Sequence, residues 1–503
     1  MMSETDVLFG QAYFLRFDRK LWEARQPYPP LGALYAAAAA RAHKYDVRLF
    51  DAMLAASDAE WAGALDRHRP RVAVLYEDSF NYLTKMCLLR MREAGLAMID
   101  AARTRGVPVI VSGSDASDHP EIYLDRGASA VVAGEGEATL VELLDVLSNR
   151  NPAPISSIAG VCLRDAGGRV LRTRPRETLR DLDSLPRPAW DLADIERYRR
   201  MWKARHGYFS MNIVTTRGCP YHCNWCAKPI YGQRYAARSP ERVVEEIAWL
   251  KATYRPDHLW IADDIFGLKP GWIERFAEGI AGAGVRVPYK CLLRADGVTE
   301  PVVRALAASG CRTAWIGAES GSQDILDAME KGTRVDQIYD AARRLKAAAI
   351  EVGFFLQFGY PGETMAHIDR TLQMVRDCDP DDIGVSVSYP LPGTPFYDRV
   401  KAQLGPKQNW VDSNDLAMMY RATYVPEFYN ALHALVHAEF RARKIRRRGA
   451  RALISRLYNR ATRPLLARRV RRLASVEASG EPPFRLLPML SRQAAAAPSE
   501  EPQ

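Results

Sequence analysis

Arg217-Gly218-Cys219-Pro220-Tyr221-His222-Cys223-Asn224-Trp225-Cys226 decides how the rest of the chain is read. Three of the eight cysteines fall within eight positions, spaced CxxxCxxC. Thiolates are soft ligands suited to iron–sulfur iron. Three of them on a short loop hold three irons of a cubic cluster and leave the fourth iron open. An open iron binds a ligand and passes it an electron. A structural zinc site needs four ligands. His222 is adjacent to Cys223 and poorly placed to converge as the fourth.

The loop follows a strand candidate, Asn212–Thr216. Downstream, further strands end in polar or glycine turns. His258–Ile261 runs into Asp263 and Asp264, and Tyr289–Leu293 into Arg294. Thr313–Ile316 leads to Gly317-Ala318-Glu319-Ser320-Gly321-Ser322. Val352–Phe358 leads to Gly359-Tyr360-Pro361-Gly362-Glu363, and Ile383–Tyr389 to Pro390-Leu391-Pro392-Gly393-Thr394. Arg238-Ser239-Pro240-Glu241 starts a helix, with a serine cap and proline in the first turn. Six strand–helix units over 206–400 are too few for a closed eight-stranded barrel. An open (β/α)6 partial barrel is expected, with its site at the carboxyl ends of the strands.

Upstream, residues 1–150 alternate strands and helices, which implies a doubly wound parallel sheet. Strand candidates are Asp6–Phe9, Val47–Phe50, Val72–Tyr76, Val107–Val111 and Ala130–Val132. Ligands of such sheets sit beyond the carboxyl ends of the strands. Tyr76, Ser112-Gly113-Ser114 and Gly134-Glu135-Gly136 stand there, and the glycines permit close approach of backbone to a ligand. Residues 151–205 read as a linker containing a hairpin around Asp165-Ala166-Gly167-Gly168.

The cysteine loop, Ile261-Ala262-Asp263-Asp264-Ile265-Phe266, Gly317–Ser322 and Gly359–Glu363 occur in the order in which the radical SAM superfamily carries such stretches. The chain resembles that superfamily over 206–400. Pro29-Pro30-Leu31-Gly32, Val111-Ser112-Gly113 and Gly134–Leu140 resemble the cobalamin-binding domain that precedes many of its enzymes. Asp66-Arg67-His68 lacks the glycine of a DxHxxG motif, as in the branch without a histidine on the lower cobalt face. The resemblance implies a 4Fe–4S cluster on Cys219, Cys223 and Cys226, with S-adenosylmethionine on the open iron. It assigns Trp225, Asp263, Asp264, Arg294, Glu319, Ser320 and Gln357 to S-adenosylmethionine. In this reading Asp263 and Asp264 meet the methionine ammonium, Glu319 and Ser320 the ribose, and Arg294 the carboxylate. It assigns Tyr76, Ser112, Gly113, Ser114, Gly134, Glu135 and Gly136 to cobalamin. Plainer readings stand beside these: a turn or cap for Asp263, Asp264 and Glu319; core packing for Trp260, Trp315 and Phe354; small buried apolar residues for Cys291 and Cys311.

The implied function is modification of an unactivated carbon, most often C-methylation, with an oxidative cyclase as the alternative. The implied partners are a small-molecule or lipid-like biosynthetic substrate and a one-electron reductant of flavodoxin or ferredoxin type. No second three-cysteine set supports an auxiliary cluster, as a tRNA-modifying methylthiolase would need. Residues 401–475 read as a helical domain that, through Tyr429 and His437, resembles the tail of the anaerobic magnesium-protoporphyrin monomethyl ester cyclase branch.

The net charge of +10 is concentrated. Residues 441–473 hold 14 Lys and Arg and no acid, which leaves −4 for everything else. A basic amphipathic helix here reads as contact with an anionic membrane surface, or as a solvated helix packed on the body. Support for nucleic acid is thin. Pro464 is expected to break the helix, and 476–503 to be a disordered tail. Scattered cysteines, no basic leader and no apolar run of about 18 residues point to a cytoplasmic protein.

Overall fold

Val72-Ala73-Val74-Leu75-Tyr76 shows why the first sheet forms. It is apolar at every position, as a strand covered on both faces must be, and every residue in it is buried. A computed structural model describes residues 5–80, 88–228, 230–407, 409–443 and 450–475, with no side chains described over 450–456. The expected tail 476–503 and part of the basic segment lie outside the described residues.

The first sheet comprises β1 (Val7–Gly10), β2 (Val47–Leu49), β3 (Val72–Tyr76), β4 (Val109–Ser112) and β5 (Ala130–Val132), with β6 (Val161–Arg164) and β7 (Val170–Arg172). Its order is β2-β1-β3-β4-β5-β6-β7. The first five strands run parallel. The hairpin β6–β7 pairs antiparallel onto β5, so the hairpin expected in the linker extends the first sheet. The order in which strands are added reverses between β1 and β3, the switch point at which such sheets bind ligands.

Two short strands follow β8 (Ser210–Ile213): β9 (Thr216–Arg217) and β10 (Ala236–Ala237). The second sheet continues with β11 (His258–Ile261), β12 (Tyr289–Leu293), β13 (Cys311–Glu319), β14 (Glu351–Phe358) and β15 (Asp382–Val387). Its order is β15-β14-β13-β12-β11-β8, parallel throughout. This is the open six-stranded half-barrel expected. Period-two alternation sorts its side chains. Met211, Ile213, Leu259, Ile261, Cys291, Ala314, Ile316, Val352 and Phe354 are buried in the main core. Trp260, Lys290, Leu292 and Trp315 occupy the other, inner face and are only half-buried. Phe354 is core, as expected; Trp260 packs against the core from the inner face, whereas the register of Trp315 turns it into the barrel, away from the core.

Aromatic packing joins the two sheets. Tyr28, on the loop before helix Leu31–Ala42, lies against Trp202 and Trp260 at 5.3 and 4.9 Å. The Trp202 indole donates to the Pro27 carbonyl at 2.7 Å, and the Asn212 amide to the Pro29 carbonyl at 3.1 Å. Burying each such ring contributes about 1.5–3 kcal/mol.

The carboxy-terminal region is mainly helical. Helix Pro426–Arg443 packs on Ala450–Ala474 and on β15. The second helix runs through Pro464 without a break. Pro464 is exposed, so its ring points away from the packed side, and neighbouring contacts with Pro426–Arg443 offset the one lost backbone bond.

Candidate functional site

A short ladder closes the base of the cysteine loop. Thr216–Arg217 pairs antiparallel with Ala236–Ala237, so residues 218–235 form an excursion from the mouth of the half-barrel. Gly218 makes the departure: its φ is +76°, and a Cβ there would stand 2.1 Å from the Arg234 carbonyl oxygen. Only glycine fits that turn.

Asp263, at the end of β11, fixes the other side of the base. It is 2 % exposed. Its Oδ1 accepts from Thr215 N at 2.7 Å and Thr216 N at 3.0 Å, and its Oδ2 accepts from the Thr215 hydroxyl. Burial pushes its carboxyl up to about 7 despite the Thr215 bonds. Asp263 thus holds the strand that launches the loop. Its neighbour Asp264 is exposed and lies near enough to Cys219 and Cys226 to raise both thiols.

Asn224, which the sequence reading passed over, pins the loop across the mouth. It is fully buried. Its N–H donates to Met329 O at 3.0 Å and its amide to Ala328 O at 2.8 Å, while its Oδ1 accepts from Tyr360 at 2.9 Å. Only its place between two cysteines could have marked it, because its partners lie more than 100 residues away.

The three thiols are free and close enough to influence one another. Burial, followed by Asp264, pushes Cys226 up to about 12, so a thiolate there calls for compensating positive charge. Among the described residues no three His, Cys, Asp or Glu side chains converge to hold a single ion. A cubic cluster presents a separate iron to each thiolate, so this donor set fits a cluster.

The remaining predicted residues gather at the same mouth. Arg294 stacks 3.6 Å from the Tyr221 ring centroid and donates to Asp296 at 3.0 and 2.9 Å and to Lys331 O at 2.9 Å. These donors are committed to protein, and the stacking supports the cysteine loop from below. Glu319 has a φ of +58° and accepts from the buried Lys331 ammonium at 2.9 Å. Lys331 also feels Cys223 and was not anticipated. Ser320 is fully buried and paired with the Thr371 hydroxyl at 3.2 Å, inside the turn. Gln357 is 1 % exposed, and neither polar atom of its side chain has a partner among the described residues. The Trp225 indole N–H is likewise without one. A buried amide left unsatisfied costs about 1–3 kcal/mol, so unpartnered polar atoms at this mouth fit a polar ligand.

The residues assigned to cobalamin also converge, at the ends of β3, β4 and β5, but their immediate neighbours are protein. A Cβ on Gly136 would lie 2.6 Å from the Tyr76 hydroxyl, and one on Gly113 2.7 Å from Glu77 Cβ. The space these glycines leave is filled by Tyr76 and Glu77. Glu135 faces the barrel. Arg217 bonds to Glu135 and, at 2.6 and 3.1 Å, to Glu137, with all three side chains at most 8 % exposed. Burial alone would disfavour the guanidinium charge, and Glu137 leads the groups that outweigh it. At the β1–β3 switch point, Glu77 Oε1 accepts from Ala12 N at 2.8 Å. Its Oε2 and the nearby Tyr13 hydroxyl are buried without partners among the described residues. Orphaned polar atoms at a switch point fit a ligand seated there.

Comparison with known proteins agrees with this geometry. Residues 213–375 match the radical SAM superfamily and residues 21–144 the B12 binding domain. An uncharacterised methyltransferase of Pyrococcus horikoshii is 28% identical over 374 residues, covering 74% of this chain and 78% of its own. The hopanoid C-3 methylase of Methylococcus capsulatus is 26% identical over 409 residues, covering 80% and 75%. The solved structure of OxsB, a cobalamin-dependent S-adenosylmethionine radical enzyme, shares the fold with a TM-score of 0.71. It is 18% identical, covering 92% of this chain and 72% of its own. The two matched regions cover most of the parallel part of the first sheet and most of the half-barrel whose mouth carries the three thiols: the chain is a radical SAM enzyme with a B12-binding domain, and its cofactors are a 4Fe–4S cluster, S-adenosylmethionine and cobalamin.

Proposed function

We propose that the protein is a cobalamin-dependent radical SAM C-methyltransferase that acts on an unactivated carbon of a small biosynthetic substrate. The observation that carries this reading is the joining of the two cofactor regions by Arg217, two residues before Cys219, with Glu135 and Glu137 of the first sheet. When bound, the cluster would supply one electron to S-adenosylmethionine, and cobalamin would supply the methyl group. Cys219, Cys223 and Cys226 would hold the cluster. Asp264 would meet the ammonium of the methionine, because it is exposed at the mouth beside Cys219 and Cys226, and Asp263 would hold Thr215 and Thr216 at the base of the loop. Glu319, oriented by Lys331, would accept from the ribose hydroxyls, and Gln357 and the Trp225 N–H would supply the missing polar contacts. Arg294 and Ser320 would act from behind, by holding Tyr221 and the turn. Tyr76, Ser112, Gly113, Ser114, Gly134 and Gly136 would form the floor under cobalamin, with Glu77 and Tyr13 in the switch-point crevice. Curated relatives named as methylases favour methylation over ring closure, although relatives named as cyclases also occur.

Anaerobically reconstituted protein with S-adenosylmethionine and a one-electron reductant is expected to release 5′-deoxyadenosine. With substrate, S-adenosylhomocysteine is expected in equal amount. Cys223→Ala is expected to release neither nucleoside, and full activity in that variant would sink the radical reading. Deoxyadenosine without S-adenosylhomocysteine would transfer the assignment to an oxidative cyclase.

Among the described residues no helix is long and apolar enough to cross a membrane. We infer surface contact instead, through the outward face of helix Ala450–Ala474. Leu457, Tyr458 and Leu465 are 58, 67 and 65 % exposed there, among exposed arginines 460, 463, 468, 469, 471 and 472.

A further inference from the structure

The inner wall of the half-barrel is built unlike the rest of the protein. Phe355 sits mid-strand in β14 between fully buried neighbours, yet it is 37 % exposed. It stacks on Trp315 with ring centroids 4.7 Å apart and planes 27° apart. Two glycines make room for the pair. A Cβ on Gly353 would lie 2.4 Å from the Trp315 ring, and one on Gly384 2.9 Å from the Phe355 ring. The rings therefore lie against bare backbone and present a flat apolar face to the barrel interior.

Lys290 stands on the same wall. Its ammonium lies 5.1 Å from the Trp260 ring centroid and 5.4 Å from that of Tyr28. No carboxylate among the described residues is within ion-pair distance of it. Aromatic faces stabilise a cation by only about 0.5–2 kcal/mol, less than desolvating an ammonium costs. Leu292 pairs with Trp315, and Lys290 is two residues before Leu292, so its backbone position lies about 7 Å along the strand from that of Trp315. It lies toward the amino ends of the strands. Glu319 and Gln357 lie at the opposite end, their backbone positions about 13 Å along the strands beyond Trp315 and Gly353, the end at which the cysteine loop leaves the half-barrel.

We propose that this wall binds the substrate, a flat apolar skeleton carrying one anionic group. Trp315 and Phe355 lie against the skeleton, Lys290 meets the anion, and the carbon to be modified points toward the cysteine loop. An exposed aromatic platform gains by covering itself with apolar surface. A half-buried ammonium held only by aromatic faces gains by meeting a carboxylate or phosphate. The two features stand in line with the cofactor site, so one elongated molecule satisfies both. The inference rests on the reading of the chain as an enzyme of small-molecule substrates, and it is tested by binding without turnover.

The probes are 1-pyrenebutyrate and its neutral analogue 1-pyrenebutanol, titrated into reconstituted full-length protein and followed by energy transfer from tryptophan. The anion is expected to bind about tenfold tighter than the alcohol. Lys290→Met is expected to reduce the anion to the alcohol's affinity and leave the alcohol unchanged. Gly353→Ala, which drives a methyl into the Trp315 ring, is expected to weaken both probes about tenfold. Iron content and circular dichroism verify that each variant is folded. The unaltered protein supplies a second measurement. Burial lowers Lys290 to about 8, with Tyr208 and Asp382 opposing. The other groups at this end are Tyr28, raised by burial, His258, held neutral by burial, and Arg312. Preference for the anion is therefore expected to fade as pH rises past about 8. Equal affinity for the two probes, absence of binding, or equal loss of both in Lys290→Met would overturn the proposal. Deoxyadenosine release is measured separately, so loss of the pocket and loss of the radical reading give different results.

Discussion

Glu363 shows how much a single residue can reveal once its surroundings are known. It is fully buried. Its Oε2 accepts from Gly359 N at 2.6 Å, and its Oε1 has no partner among the described residues. Burial pushes its carboxyl up to about 8, against a single compensating bond. A raised carboxyl favours the protonated fold. Its contribution is complete below its ordinary value of 4.5 and is lost as pH rises to about 8. Glu363→Gln is expected to flatten the fall of thermal midpoint with pH across that window. An unchanged slope would show that the carboxyl titrates normally. The sequence placed this glutamate in a recognisable turn and said nothing of its charge, because burial depends on residues distant in the chain. The same holds for Asp263. Its position after a strand was legible, but its engagement by Thr215 and Thr216 was not, and that engagement leaves Asp264 as the carboxylate facing the thiols.

At the scale of elements, local patterning was most informative. Strand positions in both sheets follow from apolar runs, and the helix Pro240–Tyr254 begins where Ser239 caps it, as its side chain accepting from Arg242 N shows. Pro464 misled because it was weighed without the neighbour that offsets its lost bond. The same helix carries a prediction. It has no acidic residue and an exposed apolar ridge, and each arginine near an anionic surface contributes about 1 kcal/mol. Full-length protein is expected to sediment with vesicles containing phosphatidylglycerol and not with pure phosphatidylcholine. Leu465→Glu is expected to stay in the supernatant. Equal sedimentation of that variant would reduce the helix to a solvated face packed on Pro426–Arg443.

For the molecule as a whole, the two sheets act through a buried ion cluster. Removing one partner of such a cluster leaves an uncompensated charge and costs about 3–5 kcal/mol. Glu137→Leu is expected to lower amide hydrogen-exchange protection around both residue 136 and residue 218, and Arg217→Met to do the same. The double variant is expected to be no worse than either single one. Deprotection confined to the mutated loop would show that the sheets are not coupled there. The sequence alone determined the superfamily, the three thiols, the six strands of the half-barrel, the five parallel strands of the first sheet and the order of the domains, since spacing and periodicity are local properties; it did not reveal that the linker hairpin adds two more strands to the first sheet. Tertiary structure alone decided that Glu135 faces Arg217, that Asn224 locks the cysteine loop to Ala328 and Tyr360, and that Trp315 with Lys290 lines an interior. Those facts depend on which face of a strand meets which distant segment, and no short stretch of sequence encodes that.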